Sequence, residues 1–201
     1  MTVELAAQRQ HLRSQLRARR HALPAAERIA AAERIAERLL ALPFAPRAGH
    51  VAGYWAMDGE IALHAWQLQL PASCTYCLPV IAGDRLAFAP WRPGDPLTSN
   101  RYGIPEPAVE PASHLAPEDM AFVVLPLVGF DARGERLGMG GGWYDRSFAF
   151  RQRQPAPPWL IGAAFSTQQV DAPLDTADWD VALDAVCTES RTHEFRKPEI
   201  P

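Results

Sequence analysis

Hydrophobic and polar residues along the chain follow two different periods, and each period predicts its own type of element. Leucines spaced along one helical face predict a helix from residue 2 to about residue 23. A second helix is predicted to begin at Pro24, because the fixed φ of proline suits a first helical turn, and to end before Pro43. Its predicted inner face consists of Ile29, Ala32, Ala36, Leu39 and Leu40.

Short apolar segments bounded by turn residues predict strands. They lie at residues 50–57, 75–81, 86–91, 121–128, 159–165 and 185–188, and further helices are predicted at 61–70 and 142–151. Strands that alternate with helices predict an α/β fold with a largely parallel sheet. We expect residues 1–201 to form a single layered α/β domain with a short polar tail from about residue 190.

Residues 92–119 interrupt this alternation. They contain six prolines, which oppose regular strand pairing: Pro93, Pro96, Pro105, Pro107, Pro111 and Pro117. Neither flanking half has enough predicted strands to close a core alone. We therefore expect a long, ordered surface excursion without regular ladders rather than a linker between domains.

Composition and charge exclude several classes of protein. The chain has 20 basic and 23 acidic residues and a net charge of −3, so we expect no general binding to nucleic acid or to a membrane surface. Three cysteines are too few for a disulfide framework, which favours a reducing compartment and hence the cytoplasm. Cys74 and Cys77 form a CxxC, but on a strand their side chains point to opposite faces, which argues against a metal or redox role. We expect neither a secretory signal nor a membrane span.

The glycine-rich segment 134–142 is the strongest candidate for chemistry. Five of the 13 glycines fall within these nine residues, between a predicted buried strand and a predicted helix. Such a loop lies at the carboxyl end of a strand, where open α/β sheets bind ligands. Its unpaired N–H groups and the following helix N-terminus would suit a phosphate. The alternative is a flexible connection, and the pattern is not a Walker A loop because no GK[ST] follows.

Charged residues near this loop extend the hypothesis. Arg9, Arg13, Arg17 and Arg20 share one face of the first helix with only Glu4 nearby, so the face either meets an anionic partner or pairs with acids from elsewhere. The first interpretation would suit a triphosphate.

Two carboxylates also have two interpretations each. Asp145 lies in the first turn of the predicted helix, where the helix dipole alone favours an acid, but beside phosphates it could hold Mg²⁺. Glu60 follows the Asp58-Gly59 turn at the end of a predicted strand. It could accept hydrogen bonds from a planar heterocycle, or it could be an ordinary turn acid.

Taken together, these segments resemble the 5-formyltetrahydrofolate cyclo-ligases, also called methenyltetrahydrofolate synthetases. The segment GFDARGERLGMGGGWYDR at 129–146 is similar to that family's GFD and RLGxGxGYYD pattern. Four further segments match in order: RQHLR at 9–13, MDGEI at 57–61, GIPEP at 103–107 and DVALDAVCTE at 180–189. The resemblance therefore covers nearly the whole chain.

The resemblance implies a three-layer, NagB/RpiA/CoA-transferase-like α/β fold and an ATP- and Mg²⁺-dependent cyclisation. In that reaction 5-formyltetrahydrofolate becomes 5,10-methenyltetrahydrofolate through a phosphorylated formyl group, the iminophosphate, with release of ADP and phosphate. The implied partners are ATP and the folate, which can carry one or several glutamates, and the implied state is a monomer. A non-catalytic folate- or nucleotide-binding protein and another phospho-ligand enzyme on the same scaffold stay open as alternatives.

The resemblance also assigns residues. Those implied for ATP are Arg9, Arg13, Arg136, Leu137, Gly138, Met139, Gly140, Gly141, Gly142, Trp143 and Tyr144. Those implied for the folate are Trp55, Glu60, Met139, Gly140, Gly141, Gly142 and Trp143, and those for magnesium are Asp145 and Asp184. No nucleophilic side chain is implied, since Arg13, Arg136 and Asp145 would act by positioning and charge. Arg9 replaces the family's usual lysine, and Trp143 replaces its usual tyrosine.

Overall fold

The computed structural model describes residues 3–195, and these residues contain four α-helices and eleven strands. The helices are α1 (Val3–His21), α2 (Ala25–Ala41), α3 (His64–Gln69) and α4 (Trp143–Ser147). The strands are β1 (Gly49–Ala52), β2 (Cys74–Ala82), β3 (Arg85–Pro90), β4 (Leu97–Ser99), β5 (Pro105–Pro107), β6 (Met120–Pro126), β7 (Gly129–Phe130), β8 (Arg136–Leu137), β9 (Trp159–Ala163), β10 (Ala185–Cys187) and β11 (Thr192–Glu194).

Seven of the strands form the main sheet, in the order β11-β10-β9-β6-β1-β2-β3. The five inner strands, from β10 to β2, pair in parallel, and only the edge strands β3 and β11 are antiparallel to their neighbours. The predicted α/β class with a largely parallel sheet is therefore confirmed. The finer NagB/RpiA/CoA-transferase-like assignment and the single domain over 1–201 stay predictions.

Both faces of the sheet are covered by apolar residues, which gives the three layers. On one face α2 and α3 pack through Ile35, Leu39 and Trp66 against Val51 and Phe122 of the sheet. The opposite face has its own core, formed by the alternate strand residues and the segment around α4. Because successive strand side chains point to opposite faces, one short strand such as β6 contributes to both cores.

Helix α1 lies across the carboxyl edge of the sheet. Leu16 is completely buried with Val128 and Leu137, just beyond the end of β6. A Cβ at Gly129 would lie 2.5 Å from the Leu16 side chain, so the helix can approach this closely only over a glycine. This contact places the arginine face of α1 beside the glycine-rich segment.

The two long N-terminal helices are confirmed, with small corrections. Residue 2, where the first helix was predicted to start, lies outside the described residues. Ile29 is 65% exposed, whereas Ala31 and Ile35 are buried, so the inner face of α2 differs from the one predicted. None of the described helices is long and apolar enough to cross a membrane.

Several strand predictions were too long. β1 ends at Ala52, five residues before the predicted end, and the chain then reaches a turn at Asp58, whose φ is +52°. The helix predicted for residues 61–70 is limited to α3, and the helix predicted for 142–151 is α4 followed by a separate 3₁₀ turn, Ala149–Gln152.

Three short pairings were not predicted. The proline-rich excursion contains a two-stranded antiparallel ribbon of β4 and β5, so the expectation of no regular ladders was wrong. β7 and β8 form a second small hairpin directly before the glycine-rich loop. The predicted polar tail from about residue 190 contributes the edge strand β11, and its residues 196–201 lie outside the described part of the chain.

Candidate active site

The glycine-rich loop after β8 presents a row of backbone N–H groups. Within residues 3–195, none of the five N–H groups from Gly138 to Gly142 donates a hydrogen bond to a protein acceptor. Gly140 and Gly142 have φ values of +98° and +64°, which L side chains rarely adopt. Consecutive unpaired N–H groups in such a loop form a concave site suited to an anion.

Arginines of α1 flank this loop. The Nε of Arg13 donates a hydrogen bond of 2.8 Å to the carbonyl of Gly138. Arg9 is paired with Asp180 at 3.4 Å and also donates to the carbonyl of Asp175. Burial, and then the neighbouring charge of Arg9, lowers the pKa of Arg13. Two guanidinium groups thus repel each other beside free N–H groups, and an anion would relieve that repulsion.

Asp145 and Arg136 form an ion pair at the other end of the loop. Their side chains are 19% and 6% exposed. The Oδ1 of Asp145 accepts from Arg136 and from the N–H of Val181, and Arg136 also donates to the carbonyl of Val181. Among the described residues no hydrogen bond reaches Oδ2 of Asp145, so this oxygen can bind a further ligand.

The turn after β1 is held by Arg17 and Arg20, the two arginines of the α1 face that lie farther along the helix. Asp58 accepts from Arg17 at 2.8 Å, from Arg20 at 2.6 Å and from His21 at 2.8 Å. Hydrogen bonding by Arg17 is the main cause that lowers the pKa of Asp58, against the opposing effect of burial. The arginine face predicted from the sequence therefore meets both an acid from elsewhere and the glycine-rich loop.

Glu60 follows this turn and lies among tyrosines. Its Oε2 accepts from the N–H of Met57 at 3.0 Å. Burial raises the pKa of Glu60. Burial is also the main cause that raises the pKa of Tyr54 and Tyr144, and the negative charge of Glu60 raises both further. Tyr144 belongs to α4, so the end of β1 and the segment after the glycine-rich loop meet at Glu60.

A match to a known family covers this whole arrangement. Residues 5–189 match the sequence model of the 5-formyltetrahydrofolate cyclo-ligase family. The chain belongs to that family. The 5-formyltetrahydrofolate cyclo-ligase of Haemophilus influenzae is 34% identical over 180 residues, which cover 87% of this chain and 94% of the relative. The cyclo-ligase of Escherichia coli K12 is 33% identical over 184 residues, covering 90% of this chain and 100% of that protein.

A solved structure supports the same relationship for this cyclo-ligase family member. The NMR structure of Aquifex aeolicus 5,10-methenyltetrahydrofolate synthetase is similar to it with a TM-score of 0.78 and 28% identity, covering 96% of this chain and 95% of that chain. The resemblance identified from the sequence motifs is therefore confirmed at the level of the family.

The structure of this cyclo-ligase family member brings most of the predicted residues to one edge of the sheet. Arg9, Arg13 and residues 136–145 adjoin one another through the contacts described above. Glu60 lies close to Tyr144, and the Trp55 ring packs edge-on against Trp91 at 5.8 Å. The individual ligand assignments stay predictions.

Asp184 differs from the other assigned residues. It is completely buried, and both of its oxygens accept from Arg151 at 3.0 Å. The N–H of Leu160 also donates to it at 2.8 Å. Within residues 3–195, no three or more His, Cys, Asp or Glu side chains are grouped so that they could hold a metal ion. The magnesium role of Asp184 stays a prediction, and the burial and pairing of its carboxylate oppose it.

Asp180 was not among the site residues predicted from the sequence, yet it lies beside Arg9 at the candidate site. Its carboxylate is 15% exposed and accepts from Arg9 and from the N–H of Ala177. The charge of Asp180 also acts on Arg13. Asp180 and Asp184 are the first and last residues of the same DVALD segment. The sequence motif therefore pointed to the right segment, but the acid beside Arg9 is the first one and not the second.

The helix expected to contribute its N-terminus to the anion site is also shorter than predicted. α4 has five residues, and so short a helix adds little dipole. The anion-binding character of the loop therefore depends on its N–H groups and on the arginines of α1.

A cleft of about 170 Å³ includes Arg9, Arg136 and Leu137 in its wall. A larger cavity of about 310 Å³ lies between α2 and the segment after β9, lined by Leu23, Ala31 and Phe165, and includes none of the predicted site residues. The smaller cleft is below the ~300–1,000 Å³ usual for a whole ligand, so it suits one part of a larger molecule.

Proposed function

We propose that this protein catalyses the ATP- and Mg²⁺-dependent cyclisation of 5-formyltetrahydrofolate to 5,10-methenyltetrahydrofolate. The observation that carries the proposal is the row of five unpaired N–H groups at residues 138–142, directly beside Arg13. Membership of the cyclo-ligase family supplies the substrate. The loop supplies a place for the phosphates that the reaction requires.

The triphosphate would bind along the loop with Arg9 and Arg13 on one side and Arg136 on the other. Backbone N–H groups and guanidinium groups are strong donors to phosphate oxygens. A Cβ at Gly140 would be in van der Waals contact with the Arg13 guanidinium, at 3.5 Å, so the loop backbone lies directly against this arginine. Only part of the nucleotide would fit the 170 Å³ cleft, and the rest would extend along the exposed loop.

Asp145 fits Mg²⁺ as a single carboxylate ligand. Mg²⁺ is commonly held by one or two carboxylates together with substrate phosphates, and the Oδ2 of Asp145 is available at the end of the loop. Asp180 is the second acid that faces this region. Bound there, the ion would neutralise charge on the transferring phosphoryl group. Asp184 fits poorly, since the Arg151 guanidinium already engages its carboxylate.

The folate would bind at Glu60 and Trp55. The carboxylate of Glu60 is an acceptor for the N–H groups of a pterin ring, and the Asp58 turn holds it in place through Arg17 and Arg20. Tyr144 connects this position to the nucleotide loop. The formyl group and the γ-phosphate would thereby be brought together.

The chemistry needs positioning and charge rather than a nucleophilic side chain. The N5-formyl oxygen attacks the γ-phosphorus, ADP leaves, and the formyl carbon becomes an iminophosphate. N10 then attacks that carbon, its proton is lost, and phosphate departs with the former formyl oxygen. Arg13 and Arg136 would stabilise charge on the transferred group, as phosphoryl transfer demands.

The proposed cellular state is a cytoplasmic monomer. Three free thiols, Cys74, Cys77 and Cys187, support a reducing compartment.

The test is direct. Purified protein is mixed with 5-formyltetrahydrofolate, Mg²⁺ and ATP, and the absorbance of the methenyl product is followed. We expect product only when ATP and Mg²⁺ are both present. Binding of both ligands without product would favour a non-catalytic binding protein, and turnover without nucleotide would favour another class of enzyme.

A further inference from the structure

Two arginines lie against the same indole ring beside the glycine-rich loop. The guanidinium carbon of Arg101 is 5.1 Å from the centre of the Trp143 ring, and that of Arg146 is 4.9 Å from it. Arg101 also lies 5.4 Å from the ring of Tyr102, which packs edge-on against Trp143 at 6.0 Å. These contacts define a surface, here called the Trp143 platform.

The platform carries positive charge with no acid to balance it. Within residues 3–195, neither Arg101 nor Arg146 has an acidic oxygen within 4.0 Å. Arg146 is fixed by hydrogen bonds of 2.8 Å to the carbonyls of Asp84 and Gly141. Glu106, the acid on the neighbouring strand β5, accepts instead from Asn100 and from the N–H of Ile81.

The platform lies at the edge of the sheet that also carries the candidate active site. Ile81 is near the carboxyl end of β2, and its bond to Glu106 docks the β4–β5 ribbon at that end. β1 and β2 are parallel, so their carboxyl ends share one edge. Arg101 follows β4, and Trp143 follows the loop, so the platform borders the site from the solvent side.

We propose that Arg101 and Arg146 on the Trp143 platform bind the carboxylates of the glutamyl tail of the folate. The inference rests on the proposed function. A folate is a neutral pterin joined through p-aminobenzoate to an anionic glutamate, and Glu60 would hold the pterin inside the site. The tail must then leave toward solvent, where two guanidinium groups that lie against Trp143 match carboxylates in charge and geometry.

The experiment compares three substrates that share the reacting N5-formyl and N10 groups. These are the neutral carboxamide of 5-formyltetrahydropteroate, here called the pteroate, which has neither glutamate nor a free carboxylate, and the monoglutamyl and triglutamyl forms of 5-formyltetrahydrofolate. KM and kcat are measured for the wild type, Arg101→Ala, Arg101→Glu and Arg146→Gln, which retains an amide donor. Arg47→Ala is the matched control, because Arg47 is an exposed arginine just before β1, at the opposite edge of the sheet.

We expect Arg101→Ala to raise KM for the triglutamyl substrate about three- to five-fold, as for an exposed charge pair, and to leave KM for the pteroate unchanged. Arg101→Glu should raise it further, and 0.5 M salt should reduce the difference between wild type and variant. In the Arg101 variants, kcat should stay the same for all three substrates. Arg146→Gln should likewise raise KM most for the triglutamyl substrate and least for the pteroate.

The inference is overturned if Arg101→Ala matches Arg47→Ala on all three substrates, or if KM rises equally for the pteroate and the triglutamyl form. Failure of the proposed function looks different, because the wild type itself would then form no methenyl product from any of the three. Such a result would remove the inference together with the function.

Discussion

Arg13 on the first helix donates a hydrogen bond of 2.8 Å from Nε to the carbonyl of Gly138, 125 positions later in the chain. This bond fixes the start of the glycine-rich loop against α1. The bond uses the Nε of the guanidinium, and the Nη2 of the same group would lie 3.5 Å from a Cβ at Gly140, so the guanidinium lies against the segment whose N–H groups are unpaired. The helix and the loop thus form one anion-binding unit.

Arg13→Ala should raise KM for ATP about 10- to 100-fold, the range expected when a hydrogen bond to a charged group is lost. KM for the folate should change little, because the turn that carries Glu60 is held by Arg17 and Arg20, at the other end of α1. Steady-state kinetics with each substrate varied in turn measures both effects. Arg19→Ala, which removes an exposed arginine from the same helix, is the control. An equal effect of the two variants on ATP would contradict the role of Arg13.

The ion pairs of Asp58 predict a dependence of stability on pH. The pKa of Asp58 is lowered in the folded protein, mainly by its hydrogen bond with Arg17, so the folded state favours the ionised form. This stabilisation is present above the ordinary pKa of aspartate, about 3.9, and is lost as the pH falls below it toward the folded pKa. Urea unfolding at about pH 5 and about pH 3, on either side of the ordinary aspartate pKa, measures this loss. The decline in stability between the two pH values should be smaller for Asp58→Asn than for the wild type. A parallel decline in both proteins would show that Asp58 contributes nothing to it.

Glu60→Gln should weaken folate binding more than ATP binding, since an amide replaces a carboxylate that accepts from the pterin. Burial raises the pKa of Glu60, so its protonation begins at a pH above the ordinary range for glutamate. In the wild type, kcat/KM for the folate should fall on the acid side as Glu60 becomes protonated, and this limb should be absent in Glu60→Gln. A matching loss of affinity for both substrates would refute the assignment of Glu60 to the pterin.

Asp145→Asn and Asp184→Asn should have different consequences. Asp145→Asn should raise the Mg²⁺ concentration required for half-maximal turnover, while the fold is kept. Asp184→Asn should instead destabilise the protein by about 3–5 kcal/mol, because it leaves the buried Arg151 without its charge partner. Thermal denaturation and Mg²⁺ titrations of turnover separate the two effects. A normal stability for Asp184→Asn combined with a shifted Mg²⁺ requirement would restore the predicted metal role of that residue.

The sequence predicted the long helices and the inner strands because their apolar periodicity is strong. It failed where tertiary contacts override that periodicity. Trp55 and Met57 extend the apolar pattern of β1, yet the sheet ends at Ala52 and the chain turns toward Asp58, where three side chains of α1 hold it. Strand β11 contains only Thr192, His193 and Glu194, a polar triplet whose pairing depends on the neighbouring β10.

In the candidate site, too, local sequence patterns predicted some features, and others depend on tertiary contacts. Glycine spacing and the arginine face located the loop and the helix beside it, since both are local patterns. Whether Asp180 or Asp184 faces the site depends on the path of the chain between α4 and β10, and no local pattern encodes that path. The Trp143 platform also escaped the sequence reasoning, because Arg101 and Arg146 meet only through the fold.

The central claim is that residues 138–142, Arg13 and Asp145 hold the triphosphate of ATP. A crystal structure with a non-hydrolysable ATP analogue and Mg²⁺ tests it most directly. We predict phosphate oxygens within hydrogen-bonding distance of the N–H groups of this loop and of Arg13, with Mg²⁺ between the phosphates and Asp145. A triphosphate bound elsewhere, with the loop N–H groups facing only water, would contradict the account.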